Sequence, residues 1–128
     1  MATNPSFAVT PRVGAVALAS ADTSYTAPTS VATVITGVTA GTRIAEVNVQ
    51  MTATVSTATM VRLFLYNGTT HFLFDEILIA AATGAQGTKQ TRISTPYNNL
   101  ILPDSTWSLR VTCHTTNTGI VTALGADL

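Results

Sequence analysis

Groups able to titrate, attack or hold a metal are few in this chain: His71, His114, Cys113 and six carboxylates. Neither histidine stands in an HxH, HExxH or CxxC frame, the spacings that let two ligands converge on one ion. A jelly-roll metalloenzyme would need His71 and His114 to meet, and both read instead as surface or interface residues. No G-x-S-x-G elbow occurs, and Gly84 and Gly87 in AATGAQGTK lack both the spacing and the following helix of a phosphate loop. Asp75 and Glu76 are adjacent, but strand neighbours point to opposite faces and cannot share a proton as a catalytic dyad does. Asp75, diagonal to Arg62, is expected to form an exposed ion pair worth little. These residues predict no enzyme, no metal and no cofactor.

Binding chemistry is scarcely richer. Trp107 and Tyr97 have the rings to stack on a sugar, as in a glycan-binding sandwich, yet Trp107 is in phase with Leu109 and Val111 and is expected in the core. Cys113 shares that phase and reads as an inert buried thiol; standing alone, it permits no intrachain disulfide. Asn67-Gly68-Thr69 matches a glycosylation sequon, though a turn explains it fully. Lys89 is the only lysine, and Arg12, Arg43, Arg62, Arg92 and Arg110 are scattered one per segment. That spacing offers no basic stripe for phosphates, so neither nucleic acid nor a membrane is expected as partner.

The strongest element signal is MVRLFLYNGTTHFLFDEI, residues 60 to 77, two alternating runs joined by Asn67-Gly68. A two-residue type I′ turn would set Tyr66 opposite Thr69, Phe64 opposite His71 and Arg62 opposite Leu73. Alternation then gives a core face of Val61, Leu63, Leu65, Phe72 and Phe74. The other face carries Arg62, Phe64, Tyr66, His71, Leu73, Asp75 and Ile77. It is too apolar to meet only water, and another subunit could cover it.

Further strands are expected at residues 12–19, 31–38, 44–53, 88–95, 97–102, 107–114 and 120–124. In the 44–53 run Ala45, Val47, Val49, Met51 and Ala53 alternate with polar residues, and 88–95 reads as a polar edge strand. Residues 13–21 (VGAVALASA) imitate a signal-peptide cleavage region but lack a basic start, so a strand is expected there. Residues 1–10 read as an extended arm punctuated by Pro5, and 11–128 as one domain. Turn clusters about every ten residues and no useful helix specify an antiparallel β-sandwich of about eight strands, jelly-roll or Greek-key.

The surface must be mostly neutral. Charged residues make up 9% of the chain, against about 25% in ordinary soluble proteins. Threonine, about one residue in five, suits a pleated polar surface. With zero formal net charge, little repulsion keeps copies apart.

Four blocks, NPSFAVTPRVG, MVRLFLYNGTTHFLFDE, YNNLILPDSTWSLRV and ALGADL, together resemble small all-β structural proteins of tailed bacteriophages, and in particular head decoration or cement proteins. The resemblance covers most of the chain. It implies a virion component on the head surface, assembled in the host cytoplasm, that self-associates as a dimer or trimer and clamps the major capsid protein. It carries over no functional residue list. The expected contacts are the arm, with Pro5 and Phe7, and the mixed hairpin face, with Arg62, Phe64, Tyr66, His71 and Leu73. A phage tail or baseplate adhesin binding glycans is the alternative.

Overall fold

The computed structural model describes residues 10–128. Eight strands follow in order: β1 (Thr10–Ala17), β2 (Ala32–Thr36), β3 (Thr42–Met51), β4 (Thr59–Tyr66), β5 (His71–Ile79), β6 (Arg92–Leu102), β7 (Ser108–Cys113) and β8 (Gly119–Asp127). No helix occurs among the described residues. One sheet has the order β1-β8-β3-β6 and the other β2-β7-β4-β5, with every ladder antiparallel. This is the expected all-β class, consistent with a sandwich. The ladders β1·β8, β2·β7, β3·β6 and β4·β5 are nested, so the chain is one long hairpin wound so that successive pairs alternate between sheets.

Inward-facing aliphatics of both sheets make the core. Ile44, Val47 and Val49 of the first sheet meet Val61, Leu63, Leu109 and Val111 of the second, all fully buried. Each such side chain withdrawn from water contributes roughly 1.5 to 3 kcal/mol. Cys113 is buried with them, as its phase predicts, and Trp107 and Tyr97 pack partly buried against the same cluster. Gly14 lets β1 close over β2: a Cβ there would lie 2.2 Å from the Val34 carbonyl oxygen.

Three expectations about the strands are corrected, two of them by bulges. In β3 both ladders shift between Ile44 and Glu46, so Ile44 takes the core position expected of Ala45, which is exposed. The two runs expected at 88–95 and 97–102 are a single strand, β6, which crosses Pro96. An edge strand tolerates a missing N–H on its free side.

The hairpin differs most. Its tip is not a type I′ turn: Gly68 is left-handed at φ 93°, but no residue other than glycine has positive φ among the described residues. Asn67 acts instead through its side chain, whose Oδ1 accepts the Thr69 and Thr70 amides at 3.0 and 2.7 Å. This Asx arrangement makes a four-residue loop and pairs Tyr66 with His71 and Phe64 with Leu73. Phe74 is then an extra residue, and beyond it Leu63 pairs with Asp75, Arg62 with Glu76 and Val61 with Ile77. One inserted residue reverses the facing of all that follows. Ile77 and Ile79 therefore enter the core, while Phe72 and Phe74, expected there, are 48% and 38% exposed.

Candidate functional site

The outer face of the second sheet carries most of the residues expected as contacts, and at Arg62 the chain covers that face itself. After β1, Ala21 forms a bridge beside Cys113 and the Asp22 amide donates to the Cys113 carbonyl at 2.9 Å. Asp22 then organises the following segment. Its carboxylate accepts the Ser24, Thr29 and Ser30 amides at 2.9, 2.7 and 2.9 Å. The Ser30 bond foremost holds this carboxyl below the usual aspartate range; burial opposes it, and the Ser24 and Thr29 bonds add to it.

That segment brings Tyr25 onto Arg62. The guanidinium carbon lies 4.5 Å from the Tyr25 ring centre, and Nη2 donates to the Tyr25 hydroxyl at 3.3 Å. Glu76 accepts from Arg62 Nε at 3.1 Å, and His114 Nδ1 lies 3.1 Å from Nη1. Burial pulls against the Arg62 charge, and Tyr25 and Glu76 outweigh it. The ion pair is thus made with Glu76 and not with Asp75, because the bulge at Phe74 exchanges their faces. Asp75 instead accepts the Tyr97 hydroxyl at 2.8 Å, tying β5 to β6 across the open edge of the sandwich. Burial, then the Asp75 hydrogen bond and charge, push the Tyr97 phenol far above its ordinary range.

At the other end of β4, Tyr66 carries a second cluster. The Arg110 guanidinium carbon sits 3.8 Å from the Tyr66 ring centre, and the His71 ring 4.2 Å from it. Arg110 Nη1 approaches His71 Nε2 at 3.4 Å. Arginine can only donate, so the histidine nitrogen facing it is the acceptor in each contact. Burial first, and Arg110 second, hold His71 below the ordinary histidine range, against a pull from Asp22.

Of the expected contacts, Arg62 and Phe64 are buried at 4% and 0% exposure. The cover at Arg62 is the chain's own Tyr25. Tyr66 and His71 are half-buried and Leu73 is exposed. Pro5 and Phe7 lie outside the described residues. His71 and His114 belong to different arginines at opposite ends of β4, and no group of three or more metal-capable side chains occurs among the described residues. Tyr25, Asp22, Glu76 and Arg110 were missed as members of these clusters. Asp22 ahead of Ser24 was a legible turn signal, while the others depend on register and loop path.

The outer face of the first sheet is different: no described loop crosses it. Val13, Ile120 and Ile101 stand 67%, 38% and 43% exposed. A shallow recess of about 370 Å³ opens at the β3 bulge between Arg43, Ala45, Glu46, Leu124, Gly125 and Ala126. Gly125 is required there, since a Cβ would meet the Arg43 carbonyl oxygen at 1.9 Å. Asn48 lies at the middle of this face, 6% exposed, with no partner for its Oδ1.

No family model, curated protein or solved structure matches this chain.

Proposed function

We propose that this chain is a non-enzymatic structural protein of a tailed-bacteriophage virion: a capsid decoration protein that self-associates and stabilises the major capsid lattice. The observation that carries it is the contrast between the two outer faces. Among the described residues the Asp22-organised segment covers Arg62 on one, while the other presents Val13, Ile101 and Ile120 exposed beside Arg43, Glu46 and Arg92. Exposed aliphatics gathered on one sheet face suit a joining surface.

The nested winding is read as a jelly roll, an architecture used by viral capsid proteins. Its rigidity suits a clamp that must resist outward pressure, and broad low-charge surfaces suit repeated contacts between neighbours. The sequence blocks that resemble decoration proteins point the same way. The first ten residues are the proposed arm toward the major capsid protein. Removing them should lower occupancy on particles, measured by cosedimentation of purified protein with undecorated capsids; unchanged occupancy rejects the arm's role.

One observation favours the adhesin reading as an alternative. Phe72 and Phe74 are exposed at the open edge, Phe72 stacked near Trp107 at 6.3 Å and Phe74 tilted against Tyr97 at 5.2 Å. Trp107 and Tyr97 themselves are partly buried in the core, which leaves the two phenylalanines as the available rings. A glycan array with specific hits lost in Phe72→Ala would favour the adhesin, and an array with none removes it.

A further inference from the structure

We infer that the outer face of the first sheet is where two copies of this chain pack, face to face and antiparallel, about a two-fold axis running across the strands through Asn48. This deepens the self-association proposed above and names its surface. The ladders place Ala15, Thr122, Asn48 and Ser94 in one row across all four strands. Two residues away on one side lies the row Ala17, Ile120, Gln50 and Arg92; two residues away on the other lies Val13, Leu124, Glu46 and Pro96. A two-fold along the middle row lays each outer row on the other.

Three features become self-complementary under that operation, as an isologous contact requires. Ile120 of one copy lies over Leu124 of the other, beside the recess at the β3 bulge. Asn48 meets its own equivalent near the axis, and a carboxamide, with donor and acceptor, can satisfy a second copy of itself. Glu46 comes over Gln50 of the second copy, one strand from that copy's Arg92. Among the described residues neither Glu46 nor Arg92 has an ion-pair partner within one chain.

The extent of the face is sufficient. Four strands about 4.8 Å apart and eight residues long at about 3.3 Å each cover roughly 500 Å² per copy. The total of roughly 1,000 Å² reaches the size at which specific association begins. Two sheets packed with strands nearly aligned also match the ordinary geometry of sheet-on-sheet contact.

The test is the mass of the full-length soluble protein, measured by sedimentation equilibrium beside its thermal melt. Wild type should run at twice the 13.3 kDa of one chain. Glu46→Arg should weaken association by about tenfold or more, and the reversal Glu46→Arg with Arg92→Glu should restore it. Thr122→Arg, on the middle row, should give a folded monomer. A monomeric wild type, a folded Thr122→Arg that stays dimeric, or a double reversal that fails to restore mass while melting normally would each overturn the inference. Should Thr122→Arg lose its cooperative melt, the Glu46 and Arg92 pair decides alone. Capsid occupancy is a separate readout: a dimer that ignores capsids contradicts the proposed function and leaves this interface standing.

Discussion

Arg62 and Glu76 stand directly opposite each other across the hairpin, Nε to Oε1 at 3.1 Å, because Phe74 is one residue more than β4 can match. Without that bulge the same register would set Arg62 opposite Asp75 and turn Glu76 and Leu78 toward the core in place of Ile77 and Ile79. A cation at 5% side-chain exposure is costly to leave unpaired, so this pair differs from the exposed one expected at Asp75. Glu76→Gln should therefore destabilise the fold by roughly 1 to 3 kcal/mol in urea titration. A change indistinguishable from zero would mean Tyr25 and His114 suffice to hold the guanidinium.

Asp22→Ala should free the segment that shields Arg62. Its three amide bonds vanish together, so hydrogen exchange at Ser24, Thr29 and Ser30 should accelerate while the core strands stay protected. The same carboxylate predicts an acid dependence. Its native pKa lies below the ordinary value, so its stabilisation is complete above about pH 4 and is lost as pH falls through the native value. Equal exchange at those amides in wild type and variant would contradict the clamp.

His71 gives a dependence nearer neutrality. Burial and Arg110 hold its native pKa below the ordinary value of about 6.5, so at acid pH the unfolded chain takes up the proton first. Stability from this group is complete above that value and falls as pH drops below it. Arg110→Gln should move the His71 titration upward when followed by its ring proton shifts in NMR. An unmoved titration would show that burial acts alone.

Tyr97→Phe should loosen the open edge by removing the bond to Asp75, at a cost of about 1 kcal/mol. Wild type should show a tyrosine step well above the ordinary phenol range in an ultraviolet pH titration, and the variant should lack that late step. Persistence of the late step in Tyr97→Phe would assign it to another ring.

Much of the fold was legible because periodicity is a local signal. The alternation in β3, β4 and β7 placed Val47, Leu63 and Leu109 in the core, and Asn67-Gly68 marked the hairpin. Bulges were not legible: nothing in FLFDE announces that Phe74 is unmatched, since the choice depends on Ile77 and Ile79 gaining the core and Glu76 gaining Arg62. Pro96 suggested a break and proved only an edge. The mixed character of the hairpin face was read correctly as needing a cover, but a chain's own loop and a neighbouring subunit leave the same trace in sequence. The outer face of the first sheet was missed for the opposite reason. Val13, Ile120 and Asn48 lie in three strands far apart along the chain, and only the ladder register sets them on one surface.

The central claim is that this chain is a repeated joining element of a virion head. Its copy number in purified particles, by quantitative mass spectrometry against the major capsid protein, tests that most directly. Copies in the hundreds per particle, at a fixed ratio to the capsid subunits, are predicted. A handful of copies, or none, would contradict the account.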